Sequence, residues 1–415
     1  MVGVDNKVFT NMGLWESAIN KADSKGISKA LLMELCSPEN RVMLYRRVMS
    51  DSYDIAPPHT AQIPKDNGEY RTVYANEPFD RVFLAIINDI LFTECRSMVH
   101  PKAKAYQKGI GCGKVVREIS LRIADAKGAE IGWKADLSKY FDSVPIEYID
   151  KAFTMAENKI GKSKCLNVVK RYYHSDLYFD LDNNLCEKYT SLKQGCAVAS
   201  WLANVVLYEL DKKLAKLDGV YYRYSDDLIF VGKDYKLAMD ILRNHIESMR
   251  MTLNPKKIEY ISSERWVKFL GFSIKGDKIS LSKNRIKTFQ KEIANRTIKT
   301  DYSYTKALNK INAYLYRNMS DYSWASQVLS VINSEDDIHA LNEYVMDCLR
   351  ATITKKKKLY GLGYDVNGKD GVIPHTTGKN VAMNRNKVPW LDGYTSLMTY
   401  KKAPRVAKEA MILQM

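Results

Sequence analysis

The feature that most constrains this chain is a pair of adjacent carboxylates, Asp226 and Asp227, inside the run YRYSDDLIFVG at residues 222–232. Aromatic and aliphatic residues flank the doublet on both sides, which predicts two extended segments meeting at its tip. Two like charges about 5 Å apart at an effective dielectric near 20 repel by roughly 3 kcal/mol. One proton or one cation relieves that cost, and a solvated Ser-Asp-Asp turn also tolerates it. A second acidic pair precedes the first in WKADLSKYFDSVP, where Asp136 leaves a β-like run and Asp142 follows. If the two runs are neighbours in one sheet, Asp136, Asp226 and Asp227 meet at one edge. Three carboxylates so placed are self-repelling unless divalent cations neutralise them. Two magnesium ions about 3.5–4 Å apart on oxygen ligands are the recurrent solution, and such a pair catalyses in-line phosphoryl transfer.

Patterning along the chain predicts an α+β core followed by a helical module. Helical stretches fill the first sixty or so residues, among them SKALLMELC and PENRVMLYRRVMS, the latter opening with Pro38 beside Ser37. TAQIPKDNGEYRTVYANE reads as a hairpin around KDNG, and PFDRVFLAIINDILFTEC as a helix with a broad apolar face. A strand is expected over EIGWKADLSKYF, helices within 146–173, a short extended pair around LDNN, and one helix from Ala199 to Leu217. After the strand pair at the doublet come a helix over 234–252 and two short extended segments, KIEYIS and WVKFLGFSIKG. From Lys283 to about Ile353 the pattern is helical again, and the Gly-, Pro- and Asn-containing stretch 359–415 is the least regular.

Charge narrows the partner class. The chain has 415 residues and a formal net charge of +16, which points to a polyanionic partner. From Ala351 to Met415 stand 12 Lys/Arg against 4 Asp/Glu, so this tail, opening with Lys355, Lys356, Lys357 and Lys358, carries half of that excess and reads as a phosphate-binding appendage or a solubilising end. No run of about 18 apolar residues and no apolar leader is present, so the expectation is a cytoplasmic protein without membrane contact. Seven scattered cysteines without a Cys-x-x-Cys pair indicate neither a disulfide framework nor a zinc site.

The segment KQGCAVASWLANVVLYELD, residues 193–211, resembles motif B of reverse transcriptases in Gln194-Gly195, Ser200, Asn204 and Asp211. ADLSKYFDSV is similar to motif A, YSDD to motif C, LNPKKIEYI at 253–261 to motif D, and VKFLGFSI at 267–274 to motif E, all in family order. The resemblance covers roughly 45–280. It implies a right-hand polymerase fold: an N-terminal helical extension (1–60), fingers and palm (45–280), a helical thumb (283–353) and a basic C-terminal extension (354–415). It also implies an RNA-directed DNA polymerase using two Mg²⁺ ions, with an RNA template, deoxynucleoside triphosphates and a cDNA product.

Within that resemblance each residue acquires a role. Asp136, Asp226 and Asp227 would be catalytic and hold the metals, with the carbonyl of Leu137 completing one coordination shell. Phe141 stands where similar enzymes place an aromatic ring against C2′, where it excludes a ribose 2′-hydroxyl. Lys65 and Arg71 match the fingers residues that clamp the triphosphate. Gln194 and Gly195 would let the backbone approach the nascent base pair, and Lys257, or failing that Lys256, would protonate pyrophosphate. Phe269, Leu270 and Gly271 resemble the primer grip. The segment AYQKGIGCGKVVREI lacks the strand–glycine–helix context of a dinucleotide loop, and the resemblance makes Lys108, Lys114 and Arg117 template contacts.

The wording of motif B resembles bacterial enzymes of the group II intron, retron and defence-associated lineages. Without a recognisable RNase H or paired-cysteine endonuclease segment, the expectation is a stand-alone defence enzyme that copies a dedicated noncoding RNA. The alternatives are an intron maturase or retron enzyme, an RNA-dependent RNA polymerase, and an RNA-binding scaffold with a vestigial palm.

Overall fold

Four helices open the chain in the computed structural model: α1 (Val4–Thr10), α2 (Met12–Asp23), α3 (Lys29–Leu35) and α4 (Pro38–Met49). The Ser37 side chain caps α4 by accepting from the Asn40 amide at 3.4 Å, and Pro38 occupies the first turn, where a missing N–H costs nothing. Next come β1 (His59–Pro64) and β2 (Tyr70–Ala75), antiparallel from His59↔Ala75 to Pro64↔Tyr70, and α5 (Pro78–Glu94), whose apolar face is buried as its periodicity requires. The order continues with α6 (Cys112–Asp125), β3 (Gly132–Asp136), α7 (Tyr140–Ser143), α8 (Ile146–Ile160), α9 (Lys164–His174), β4 (Leu177–Phe179) and β5 (Leu185–Glu187). Then follow α10 (Ala199–Val205), α11 (Tyr208–Leu214), β6 (Gly219–Tyr224), β7 (Asp227–Gly232), α12 (Tyr235–Ser248) and the short strands β8 (Glu259–Ile261), β9 (Val267–Phe269), β10 (Phe272–Lys275) and β11 (Lys278–Leu281). Helices complete the chain: α13 (Lys283–Arg296), α14 (Tyr304–Leu315), a π-turn at Ala325–Leu329, α15 (Glu335–Thr354), α16 (Lys379–Lys387), α17 (Leu397–Lys402) and α18 (Arg405–Gln414). The structure describes residues 3–23, 26–64, 69–107, 109–126, 128, 130–188, 191–316, 323–360 and 373–414.

The chain divides into two units. The first, residues 1–110 and 132–260, contains the four-stranded sheet β2-β1-β4-β5 and strands β6, β7 and β3 of a second sheet ordered β6-β7-β3-β8. Its core is one cluster running from Val4 and Trp15 through Phe83, Trp133, Trp201 and Phe230 to Met251. The second unit, residues 111–131 and 261–415, contains α6, the three-stranded sheet β11-β10-β9 and helices α13 to α18. Its buried faces include Ile119 and Ile123 of α6, Phe289 of α13 and Leu341, Val345 and Leu349 of α15.

Three local expectations change. The strand expected over EIGWKADLSKYF stops at Asp136, because Lys139 turns left-handed (φ 47°) and feeds α7. The single helix expected from Ala199 to Leu217 is two: Val206 still has helical dihedrals (φ −56°, ψ −33°), and the break falls at Leu207 (φ −100°, ψ 13°). β11 is an extra strand, paired with β10.

The basic tail is not a loose appendage. α16 and α17 both pack on α15. The fully buried Asp347 of α15 receives Arg385 of α16 at 2.8 Å and Arg350 at 3.1 Å, and Asn342 Oδ1 accepts from the Leu397 amide and the Tyr394 hydroxyl, each at 2.9 Å. Among the described residues no helix is long and apolar enough to cross a membrane.

Candidate active site

Strand pairing assembles the acidic site. β3 and β7 run antiparallel with Asp136 opposite Asp227, and Asp226 sits in the turn between β6 and β7. Backbone bonds fix Asp136 from both sides: the Leu137 amide donates to Asp226 O at 3.1 Å and the Asn254 amide donates to Asp136 O at 2.9 Å. Three residues distant in sequence are thereby neighbours at one sheet edge.

Their electrostatics show the expected repulsion. Burial raises the Asp226 carboxyl, and the charge of Asp136 raises it further. Burial pushes Asp227 up to about 6, with the charges of Asp226 and Asp136 adding to it. Lys257 partly offsets this. Its Nζ lies 2.7 Å from Asp136 Oδ2, delivered by the 3₁₀ turn Pro255–Lys257 that Asn254 caps. Burial pulls the Lys257 ammonium down, but the hydrogen bond and charge of Asp136 outweigh it and its pKa is raised.

Among the described residues no group of three or more His, Cys, Asp or Glu side chains is gathered closely enough to grip an ion. The charge of Asp136 raises both Asp226 and Asp227, and its own carboxylate is paired with Lys257. The donor set nonetheless fits a hard divalent cation, since it offers carboxylate oxygens whose charge is only partly compensated by one ammonium.

A buried ion pair supports the turn. Arg223 and Asp211 are both fully buried, with Arg223 Nε 2.8 Å from Oδ1 and a terminal nitrogen 2.6 Å from Oδ2. Arg223 also donates to the carbonyls of Ala203 (3.0 Å), Asn204 (3.0 Å) and Ser225 (3.2 Å), and Tyr221 donates its hydroxyl to Asp211 at 2.7 Å. Burial lowers the Arg223 pKa while Asp211 raises it, with a net rise. Motif B Asp211 thus anchors α11 to β6, three residues before Asp226. Ser225, left-handed at φ 65°, shares a hydrogen bond of 2.9 Å with the hydroxyl of Tyr106, itself left-handed at φ 62°.

The other residues singled out by sequence fall as follows. Arg71 lies on β2 within the field of Asp226, whose carboxyl it lowers. Phe141, half-buried on α7, packs edge-on to Tyr140 at 5.7 Å, and its carbonyl accepts from the Leu192 amide. Gln194 O accepts from the Tyr74 amide at 2.6 Å. Gly195 has φ 110°, and a Cβ there would stand 2.6 Å from Tyr74 O, so its glycine answers to β2. Asn204 donates to Ala105 O at 3.0 Å and Ser200 to Asn88 at 3.2 Å. Asp142 pairs with Lys188 at 2.7 Å, and Lys256 is exposed. Lys65 and Lys108 lie outside the described residues. Lys114 and Arg117 are exposed on α6, and Phe269, Leu270 and Gly271 form the β9–β10 turn, all in the second unit.

Sequence reading missed Arg223, Tyr106 and Lys193. A signal for Arg223 existed: an arginine in an apolar strand needs a buried acid, and Asp211 was available. Lys193 is buried and left-handed (φ 53°), donating to Ser175 O at 2.5 Å beneath the ring of Tyr172, and burial pulls its ammonium down to about 8.

No curated protein matches the chain. Solved structures similar to it include apo telomerase from Candida tropicalis (12% identity, TM-score 0.47, covering 72% of this chain and 57% of that one). The same telomerase truncated from its C-terminal domain gives 13% identity and a TM-score of 0.42, covering 62% and 61%. Telomerase from Candida albicans in complex with the TWJ fragment of telomeric RNA gives 11% and 0.41, covering 73% and 62%. The chain thus spans about three-fifths of those telomerase chains. A family model described as reverse transcriptase (RNA-dependent DNA polymerase) matches residues 63–274, just over half of the chain and containing all three aspartates. The chain belongs to the reverse transcriptase family, and its α+β architecture is the right-hand polymerase fold expected from the motifs.

Proposed function

We propose that the protein is an RNA-directed DNA polymerase that extends a primer along an RNA template. The observation that supports this best is Asp136 standing opposite Asp227, with Asp226 in the adjoining turn, inside the matched family segment. Asp136, Asp226 and Asp227 would hold two magnesium ions, with the Leu137 carbonyl as a further ligand. Bound magnesium supplies acidity at the primer 3′-hydroxyl and countercharge to the triphosphate.

The chain's own residues do the positioning. Arg71 offers a planar fork to triphosphate oxygens, with Lys65 of the same hairpin as a second cation. Phe141 excludes a 2′-hydroxyl. Lys257, released from Asp136, carries the proton that pyrophosphate takes on leaving. Phe269, Leu270 and Gly271 hold the primer, and Lys114 and Arg117, with Lys108, contact template phosphates. The template in this reading is a dedicated noncoding RNA, and the setting is bacterial antiphage defence in the cytoplasm. What supports that finer step is the wording of motif B.

The test is templated incorporation by the purified chain on a primed RNA, with labelled deoxynucleotides or ribonucleotides. Magnesium-dependent deoxynucleotide addition, abolished by Asp226→Asn with Asp227→Asn, is expected. Preferential ribonucleotide addition would make it an RNA polymerase, and no addition with RNA binding intact would make it a scaffold. Sequencing the nucleic acid that co-purifies separates a dedicated noncoding RNA from an intron or retron transcript.

A further inference from the structure

The second unit exposes side chains for which its own packing has no use. Trp390 is 83% exposed. An indole left in water forgoes a large burial term, and here the backbone is held so that it must. Arg350 donates to Val388 O at 2.8 Å and to Pro389 O at 3.4 Å, and the Tyr304 hydroxyl donates to Asp392 O at 2.6 Å. The loop is fixed on both sides of the ring.

From Trp390 the chain runs back along α16, beside which the lysine run is laid. Asn384 accepts from the Thr354 hydroxyl at 2.7 Å and donates to Lys356 O at 3.1 Å, and one turn earlier Asn380 donates to Lys358 O at 2.9 Å. These bonds lay the lysine run alongside the helix. Tyr360, 64% exposed, closes the far end, its ring against Gly378 where a Cβ would collide. The nine residues of α16 put roughly 13 Å between the ends. Lys357 turns to Asp301 at 2.6 Å. Lys355, Lys356, Lys358 and Lys387 are exposed, and among the described residues none of them pairs with a carboxylate.

We infer that this line, from Tyr360 through Lys355, Lys356, Lys358 and Lys387 to Trp390, is a docking surface for a single-stranded polynucleotide. Flat rings at both ends receive unpaired bases, and the ammonium groups between them track phosphates. A duplex keeps its bases stacked on one another and offers no face to Trp390. An acidic peptide would use the lysines but not the rings. The inference rests on the RNA-binding part of the proposed function and is independent of the carboxylates.

The test uses the full chain carrying Asp226→Asn and Asp227→Asn, so that no synthesis intervenes. Fluorescence anisotropy measures binding of an unpaired RNA of about 12 nucleotides, the same sequence as DNA, a duplex RNA, and polyglutamate. Trp390→Ala should weaken binding of whichever single strand is held by about tenfold, with duplex binding changed less than twofold. Replacing Lys355, Lys356 and Lys358 by Ala should weaken it too and flatten the log–log salt slope by about 2. Thermal midpoints should stay put, since these side chains are exposed. Single-strand binding within twofold of the parent in both variants overturns the inference, as does a duplex or polyglutamate that depends equally on Trp390. Single-strand binding lost with Trp390→Ala, where the chain with all three aspartates intact incorporates no nucleotide on a primed RNA, would sink the polymerase reading and leave this surface standing. The reverse pattern would do the opposite.

Discussion

Removing Asp211 alone should damage the protein more than removing Asp211 and Arg223 together. Both side chains have no exposed surface, and Arg223 places two bonds on the Asp211 carboxylate and three on the carbonyls of Ala203, Asn204 and Ser225. Asp211→Leu strands a guanidinium in the core with only neutral acceptors, which costs about 3–5 kcal/mol, and Arg223→Met strands the carboxylate at similar cost. The double replacement removes both charges. It leaves three carbonyls short of a donor at about 1 kcal/mol each, less what repacked apolar volume returns, so we predict a net loss of about 1–3 kcal/mol. The double variant should therefore sit at least about 3 kcal/mol above the sum of the singles. Because the two units need not unfold together, the assay is hydrogen–deuterium exchange in urea, followed on peptides from 199–232. If a single variant fails to accumulate as soluble protein while the double does, the same conclusion follows. Singles within about 1 kcal/mol of the parent, or a double equal to their sum, would refute the reasoning.

Three further outcomes are expected. Gly195→Ala forces a methyl to 2.6 Å from Tyr74 O at φ 110° and should cost about 2–4 kcal/mol, read by urea denaturation; an unchanged midpoint would remove the case for β2 as the constraint. Phe141→Ala should raise ribonucleotide use relative to deoxynucleotide by about 10-fold or more in single-addition kinetics, whereas an equal fall in both would leave the ring a packing residue. The Lys193 ammonium lies below its unfolded value, so folding favours its neutral form and its destabilising contribution fades as pH rises from about 8 through the usual lysine range. Lys193→Met should accordingly stabilise the protein at pH 7, by up to about 2–3 kcal/mol, and much less near pH 10; a pH-independent difference would contradict this.

Much of the site was legible because its signals are local. Asp226 and Asp227 stand at a hairpin tip, Asp136 ends a strand, and both strands are buried along almost their whole length and pair in one sheet. The family order of motifs then fixed which neighbours mattered. What the sequence could not show was side-chain competition in space: that Lys257 would take Asp136, or that Gly195 answers to the Tyr74 backbone from a strand 120 residues away. Arg223 was hidden for a related reason, since its partner Asp211 was already read as part of a motif. In the tail, Gly, Pro and Asn suggested irregularity. The helices that form there depend on side chains of α15 waiting to receive them, and no period within the tail itself records that.

The buried carboxylate of Asp347 decides how a shortened version of this chain would behave. Arg385 is one of its two guanidinium partners, so cutting at the end of α15 would leave that acid facing Arg350 alone and strip Asn342 of both donors that satisfy its oxygen. Truncation would then report damage to the helix beneath, not the contribution of the removed segment. Whatever residues 373–414 do for binding has to be learned by altering their surface while leaving their seat intact.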